Sequence, residues 1–147
     1  MGLVFLWAFF DKVFGLGFNT ESGKAWIHGV SPTYGFLQNG TSGILMNFYH
    51  WLSNFTVVDW FFMLGLLGIG ISLTFGIFNK LGTFSGVVLM ILMWSANFPP
   101  EHHPFIEKQL IYAIVILMIF YFGGRDYLGF GKRWRNIRIV KDNKWLE

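Results

Sequence analysis

Three long apolar runs dominate the second half of the chain, at 57–78, 81–98 and 106–123. The first run contains one charged residue, Asp59, near its start, the second contains none, and the third has Glu107 and Lys108 in its opening turn. An α-helix of about twenty residues rises roughly 30 Å, which matches the hydrocarbon thickness of a bilayer. The pattern therefore predicts three membrane-spanning helices.

A fourth, weaker span is predicted at 2–18, where the apolar pattern is interrupted by Asp11 and Lys12. A cleaved signal peptide is the competing interpretation. It is disfavoured because the segment has no basic start, carries an acid and a base in its middle, and is followed by no small-residue cleavage site. We therefore expect a retained first helix and an all-α integral membrane protein built as a four-helix transmembrane bundle.

The distribution of basic residues predicts the orientation of this bundle. Seven of the eleven Lys and Arg residues follow the last apolar run, in a basic tail at 125–147. A tail of this kind is expected in the cytoplasm, and nucleic-acid binding is a less favoured use of it. Four spans place both termini on that side, so we expect a transmembrane domain over 1–124 with a short inner turn at Asn79 and Lys80.

The connection at 19–56 then faces outward, and it is rich in large apolar side chains. A segment with this composition does not stay disordered in water. We expect it to lie along the membrane interface or to fold back as a cap, with a turn at 31–35 (SPTYG). The residues that carry this argument are Trp26, Ile27, Tyr34, Phe36, Leu37, Phe48, Tyr49, Trp51, Leu52 and Phe55.

Small residues recur every four positions on two spans. Gly68, Ser72 and Gly76 do so on the second span, and Gly82 and Gly86 open the third. Small residues at this interval let helix backbones approach closely in lipid. Packing inside the bundle is the favoured interpretation, and a groove for a cofactor is the alternative.

The composition of the chain limits the kinds of reactive site that it can form. The chain has 147 residues, of which 54% are hydrophobic, 20% aromatic and 13% charged, and it has no cysteine. One small helical bundle accounts for this length. The lack of cysteine excludes disulfides, thiolate metal sites, cysteine-ligated iron–sulfur clusters and a cysteine nucleophile. Any redox chemistry therefore needs a bound cofactor or a partner subunit.

Charged residues at membrane depth are the main candidates for a site. Asp11 and Lys12 are costly there unless they face a cavity or a partner, and one of them is expected to point into the bundle. The hypothesis for Lys12 is a pairing with Asp59 or Glu107. The structural alternative is that Lys12 snorkels to an interface while Asp11 pairs with a nearby base. Asp59 fits a cap or first-turn role, because a carboxylate suits a helix N-terminus.

The four histidines do not predict a metal site. His102 and His103 follow Glu101, and His28 and His50 lie in the long outer connection. Adjacent histidines rarely bind one ion, and the spacing matches no zinc or iron motif. Neither a metal nor a haem is implied by the sequence.

Six segments, which together cover nearly the whole chain, form a characteristic series at 10–18 (FDKVFGLGF), 31–37 (SPTYGFL), 59–70 (DWFFMLGLLGIG), 104–105 (PF), 110–113 (LIYA) and 128–134 (LGFGKRW). In their order and spacing they resemble the DoxX/DoxD family of membrane proteins. The resemblance implies a four-helix membrane bundle, and Lys12 matches the characteristic lysine at the end of the family's first-helix motif. Gln109 departs from the pattern, because similar sequences often have histidine there.

The family includes a subunit of thiosulfate:quinone oxidoreductase, which passes electrons from thiosulfate to membrane quinone. The resemblance implies a quinone-linked redox subunit that acts on a small sulfur oxyanion with a partner. Lys12, Asp11 and Asp59 are the candidate catalytic residues, and Tyr112 and Trp94 are the candidates to line a quinone pocket, although aromatic residues near helix ends are also ordinary interface anchors. A non-catalytic accessory subunit of a larger membrane complex is the alternative.

Overall fold

The computed structural model describes residues 1–98, 107–122 and 140. The Glu101 to His103 run and the basic tail at 125–147, apart from Val140, lie outside the described residues, as do the first and last residues of the predicted span at 106–123. The predictions that concern those segments stay predictions.

All regular elements in the described ranges are helical, which confirms the all-α class. α1 packs against α4, α4 against α5, and α5 against α6, while α2 and α3 pack together in the connection between α1 and α4. A short 3₁₀ turn at Trp26–His28 contacts α1. The helices are α1 (Gly2–Phe14), α2 (Tyr34–Asn39), α3 (Met46–Leu52), α4 (Thr56–Phe75), α5 (Asn79–Ser95) and α6 (Lys108–Tyr121).

The first helix is shorter than the predicted span at 2–18. It ends at Phe14 because Gly15 and Gly17 adopt left-handed conformations, with φ of 63° and 86°. The N–H of Gly15 closes the last turn by donating to the carbonyl oxygen of Asp11 at 2.8 Å. A left-handed glycine after the last turn is the commonest helix C-terminus. Hydrophobicity alone did not reveal it, because the residues that follow are again apolar.

The connection between α4 and α5 also differs from the prediction. The turn was expected at Asn79 and Lys80, but both residues belong to the first turn of α5. The reversal lies at 76–78, where Gly76 has φ 73° and Phe78, a non-glycine residue, has φ 53°. Ser72 Oγ donates to the carbonyl oxygen of Phe78 at 3.1 Å, which holds this turn against the end of α4.

The core of the bundle receives side chains from all four long helices. Phe5 on α1, Ile69 on α4, Met90 on α5 and Ile116 on α6 are at most 5% exposed and belong to one cluster, together with Met63 on α4, which is fully buried. These contacts join the four elements that the hydrophobic pattern predicted.

The small residues of α4 and α5 divide into two groups. Gly82 lies against Ser72, and a methyl group there would overlap the serine side chain. A methyl group at Gly86 would make close contacts of 3.2 Å with Ile116 and 3.3 Å with Ile69, without such an overlap. Both glycines therefore serve close helix packing, as predicted. A methyl group at Gly68 would instead meet no atom of the described residues within 4 Å, and Gly68 borders a groove of about 220 Å³ together with Gly82, so the packing interpretation is wrong for Gly68.

The outward faces of the four long helices carry large apolar side chains that nothing in the described part of the chain covers. Of the described helices, α4 alone is long and apolar enough by composition to cross a membrane, and its most apolar window has a mean hydropathy of 1.8. α6 is apolar but shorter. The exposed side chains include Leu3, Trp7, Phe61, Leu64, Phe84, Ile91, Ile111, Ile114 and Met118.

Candidate functional site

The outer connection folds back as a cap, here defined as residues 19–55. Tyr49 on α3 is 6% exposed, and its hydroxyl donates to the carbonyl oxygen of Leu92 at 3.0 Å and lies 2.6 Å from Ser95 Oγ, both on α5. The N–H of Ser42 donates to the carbonyl oxygen of Ala96 at 3.0 Å. These contacts attach the cap to the C-terminal end of α5. Of the two arrangements predicted for this connection, along the membrane interface or folded back over the helices, the structure shows the second.

Asp11 is fully buried and holds the segment that leads into the cap. Its Oδ1 accepts the N–H of Phe18 at 3.3 Å, and its Oδ2 accepts the N–H of Asn19 at 3.0 Å. Both carboxylate oxygens are therefore bound to backbone amides of the turn that follows α1. Because its charge strengthens both hydrogen bonds, this carboxylate holds the turn after α1 in one conformation. Among the described residues, no base bonds to Asp11, so the predicted pairing is replaced by backbone contacts.

Lys12 points toward the cap. Its Nζ donates to the carbonyl oxygen of Pro32 at 3.3 Å and lies 5.9 Å from the centre of the Phe62 ring, a cation–π distance. Within residues 1–98 and 107–122, no direct ion pair joins Lys12 to Asp59 or Glu107. The predicted carboxylate partner is therefore wrong. The carbonyl oxygen of Pro32 accepts the hydrogen bond from Lys12 instead, and a backbone partner of this kind cannot be recognised from the sequence pattern.

Asp59 binds the cap from the side of α4. It is 5% exposed, and its Oδ1 accepts the hydroxyl of Ser31 at 2.7 Å and the hydroxyl of Thr33 at 2.5 Å. Asp59 does lie in the first turn of α4, but no side chain caps this helix. Of the two roles predicted for Asp59, the first-turn position is therefore confirmed and the N-cap is not; its carboxylate also joins two elements that are far apart in sequence.

Residues 31–33, here called the strap, lie between Lys12 and Asp59. Pro32 accepts the hydrogen bond from Lys12, while the side chains on either side of it donate to Asp59. Ser31 Oγ also accepts the N–H of Tyr34 at 3.0 Å. The predicted turn at 31–35 is correct only for its first part, because Tyr34 begins α2.

An apolar cavity of about 300 Å³ lies between the cap, α4 and α5. Among the residues that the structure describes, Lys12 is the only charged one in its wall, and Pro32 and Thr33 of the strap also line it. The rest of the wall is almost entirely apolar or aromatic, with Phe36, Leu37, Tyr49 and Leu52 from the cap, Val58, Phe61 and Phe62 from α4, and Leu89, Leu92 and Met93 from α5.

A second, more polar cavity of about 660 Å³ lies on the other side of Lys12. Lys12, Pro32 and Phe36 border both cavities. The polar cavity also contains Lys24, which pairs with Glu21 at 3.0 Å in an exposed ion pair. The remaining polar side chains in its wall are those of Asn19, Thr20, Ser31, Tyr34 and Asn39. Lys12 therefore lies in the partition between an apolar chamber and a polar one.

The two aromatic residues predicted to line a pocket lie elsewhere. Tyr112 is 42% exposed on α6, and Trp94 packs its ring against Phe98 at 5.1 Å on the far part of α5. Neither borders the apolar cavity. The aromatic residues that do so, such as Phe62 and Tyr49, were not distinguished by the sequence, because their spacing is also that of ordinary core positions.

Comparison of the chain with protein-family models, with curated proteins and with solved structures gave no match. The resemblance to the DoxX/DoxD family therefore rests on the sequence segments quoted above.

Proposed function

We propose that this chain is a four-helix integral membrane protein that binds the ring of a membrane quinone in the apolar cavity beside Lys12. In this proposal it acts, with a partner subunit, in quinone-linked oxidation of a small sulfur oxyanion. One observation carries the proposal: a cavity of about 300 Å³ that is lined mainly by apolar and aromatic side chains and in which Lys12 is the one charged group from the described part of the chain. This is the composition expected of a small-ligand site, in which a few polar groups fix the orientation of the ligand.

The exposed apolar side chains support the membrane part of the proposal. α1, α4, α5 and α6 all present them on their outer faces, and soluble proteins rarely expose contiguous apolar surface on this scale. α4 has 20 residues and α5 has 17, which correspond to about 30 and 26 Å of rise. α1 has only 13 residues, but the exposed side chains of Leu16 and Phe18 extend its apolar surface. With four spans and a basic tail, both termini are cytoplasmic.

The chemistry of the cavity suits a quinone ring. Aromatic side chains such as Phe61 and Phe62 provide surfaces against which a flat ring packs. The ammonium of Lys12 has three donors, so it can keep its bond to Pro32 and still donate to a quinone carbonyl oxygen. Reduction of a quinone to a quinol takes up two electrons and two protons, and Lys12 is the group in the wall that can stabilise the developing negative charge.

The polar cavity supports the part of the proposal that concerns a small sulfur oxyanion. It is larger than the apolar one, and its wall contains Lys12 and Lys24, one carboxylate, Glu21, which pairs with Lys24, and several neutral hydrogen-bonding side chains. A small oxyanion bound there would lie on the opposite side of Lys12 from the ring. Since the chain has no cysteine, we assign the transfer of electrons between donor and quinone to a cofactor or a partner subunit.

Two experiments test the proposal. The chain is purified from native-like membranes in mild detergent and extracted with organic solvent, and quinone is measured by chromatography; about one quinone per chain is expected. Membranes that contain the chain together with its co-purifying partner are then supplied with thiosulfate and a short-tail quinone analogue, and quinone reduction is followed by absorbance. If quinone neither co-purifies nor binds on addition, the quinone proposal is wrong.

A non-catalytic accessory subunit is the second candidate, and a specific observation favours it. The carboxylates of Asp11 and Asp59 are both bonded to the cap or its leading segment. Two of the three candidate catalytic residues therefore have a sufficient structural explanation. A stable large complex in which the chain binds no quinone would support this second function.

A further inference from the structure

We propose that Asp59 is a positioning residue for Lys12, which it controls through the strap. Asp59 fixes Ser31 and Thr33, the residue between them presents its carbonyl oxygen to Lys12, and this bond sets where the ammonium lies in the partition between the two cavities. The inference rests on the proposed function, since it concerns the orientation of the group that meets the quinone ring.

The geometry of the strap carries the inference. Both hydroxyl bonds, at 2.7 and 2.5 Å, converge on one oxygen, Asp59 Oδ1. Asp59 and Thr33 are each 5% exposed, so the bond between them is shielded from water, while the bond from Ser31 is half-buried. A buried acceptor oxygen that loses its donors is left without a partner and pays the full cost of its desolvation, so these two bonds resist opening. The strap is therefore held firmly on the side of α4, and the carbonyl of Pro32 is held with it.

The bond on the other side of the strap is weaker. Lys12 Nζ to the Pro32 oxygen is 3.3 Å, near the long limit for a hydrogen bond, and the second contact of the ammonium is the Phe62 ring at 5.9 Å. A lysine side chain has four rotatable carbon–carbon bonds and loses substantial entropy when it is held in one conformation. If the strap moves, Lys12 can turn toward the polar cavity, which it also borders.

A direct electrostatic effect of Asp59 on Lys12 is the competing explanation, and substitutions in the strap separate the two. Asp59→Asn removes the charge but keeps an amide oxygen that can accept both hydroxyl groups. The double variant S31A/T33V keeps the charge but removes both hydroxyl donors. The strap mechanism predicts an effect of S31A/T33V and little effect of Asp59→Asn, whereas a direct charge effect predicts the reverse.

The position of Lys12 is read from the rate at which its amine reacts with an amine-selective acylating reagent, measured by peptide mass spectrometry on the detergent-solubilised full chain. Lys24 is the internal standard, because it is 66% exposed. A matched control is Thr41→Val: Thr41 Oγ1 donates to the carbonyl oxygen of Leu37 at 2.9 Å in the same cap, without contact to the strap. Binding of a short-tail ubiquinone analogue is measured in parallel.

We expect acylation of Lys12, relative to Lys24, to increase about fivefold in S31A/T33V and in Asp59→Ala. Fivefold is about the factor by which loss of one net hydrogen bond, here the bond from Lys12 to Pro32, shifts an equilibrium. Asp59→Asn and Thr41→Val should stay within about twofold of the wild type, and quinone binding should weaken in the same two variants in which acylation increases. Equal acylation in Thr41→Val and S31A/T33V would mean general loosening of the cap and would overturn the inference, as would an effect confined to Asp59→Asn or no change in any variant. Failure of the wild-type chain to bind quinone would refute the proposed function, while the acylation rates would still test the link from Asp59 to Lys12.

Discussion

Replacement of Lys12 by methionine is the most direct test of the site. Methionine has a similar length and fills the same space between Pro32 and Phe62, but it has neither a charge nor a donor. The prediction is that quinone binding is lost selectively while the fold is retained.

The two magnitudes follow from the contacts of the ammonium. Its bond to Pro32 is long, at 3.3 Å, so its loss should lower the free energy of unfolding by only about 1 kcal/mol. A charge-assisted bond to a quinone carbonyl in an apolar cavity contributes about 1.5–3 kcal/mol. Lys12→Met should therefore weaken binding of a short-tail quinone about 10- to 100-fold.

The assay is equilibrium dialysis of a radiolabelled short-tail ubiquinone analogue against the purified chain in detergent, with thermal unfolding measured on the same samples. Lys24→Met is the matched control, because Lys24 pairs only with exposed Glu21 and such surface pairs contribute about 0–1 kcal/mol. The control should bind as the wild type does. Equal affinities for wild type, Lys12→Met and Lys24→Met would refute the role assigned to Lys12.

Three further predictions test the fold and the topology. Asp11→Ala removes the acceptor of two backbone amides, so it should lower the free energy of unfolding by about 2–4 kcal/mol in thermal or denaturant unfolding. Gly82→Ala should destabilise the α4–α5 packing by about 1–3 kcal/mol, whereas Gly68→Ala, which points into open space, should have no comparable cost; equal effects would contradict the division between these glycines. Because the chain has no cysteine, Ile44→Cys, at a side chain that is 78% exposed, should be labelled by an impermeant thiol reagent in intact cells, and Asn143→Cys should not; labelling at position 143 would contradict the orientation.

The sequence predicted the four long helices, but it predicted neither their ends nor the two short helices, α2 and α3, in the outer connection. Apolar runs identified the regions of α1, α4, α5 and α6, because a helix with an apolar surface needs a continuous apolar sequence. The ends depend on single backbone conformations, such as the left-handed Gly15 and Phe78. A phenylalanine with positive φ is disfavoured by its own Cβ. Phe78 has this conformation in the tight turn between α4 and α5, and no local sequence pattern predicts such a position.

The candidate site was predicted in part, and the limit has a physical cause. Lys12 and Asp59 stood out because charge is costly among apolar residues. Their partners are separated from them by 20 and 28 positions in sequence, and those partners are a backbone carbonyl and a hydroxyl group, which are common to many residues. The apolar wall of the cavity gave no distinct signal, since a side chain such as Leu89 has the same pattern whether it faces a neighbour or a ligand.

Asp11, Lys12 and Asp59 differ in how many of their hydrogen-bonding positions the fold uses, and this difference separates structural roles from ligand binding. The carboxylates of Asp11 and Asp59 each accept two hydrogen bonds, from amide or hydroxyl donors of the cap and its leading segment, and these bonds hold that part of the chain in place. An ammonium with three donors and one hydrogen-bonded acceptor, as in Lys12, keeps capacity for a ligand. The two carboxylates thus hold the cap against α1 and α4, and the ammonium of Lys12 has donors left for a ligand in the apolar cavity. This difference is the physical reason to assign ligand binding to Lys12 and positioning to Asp59.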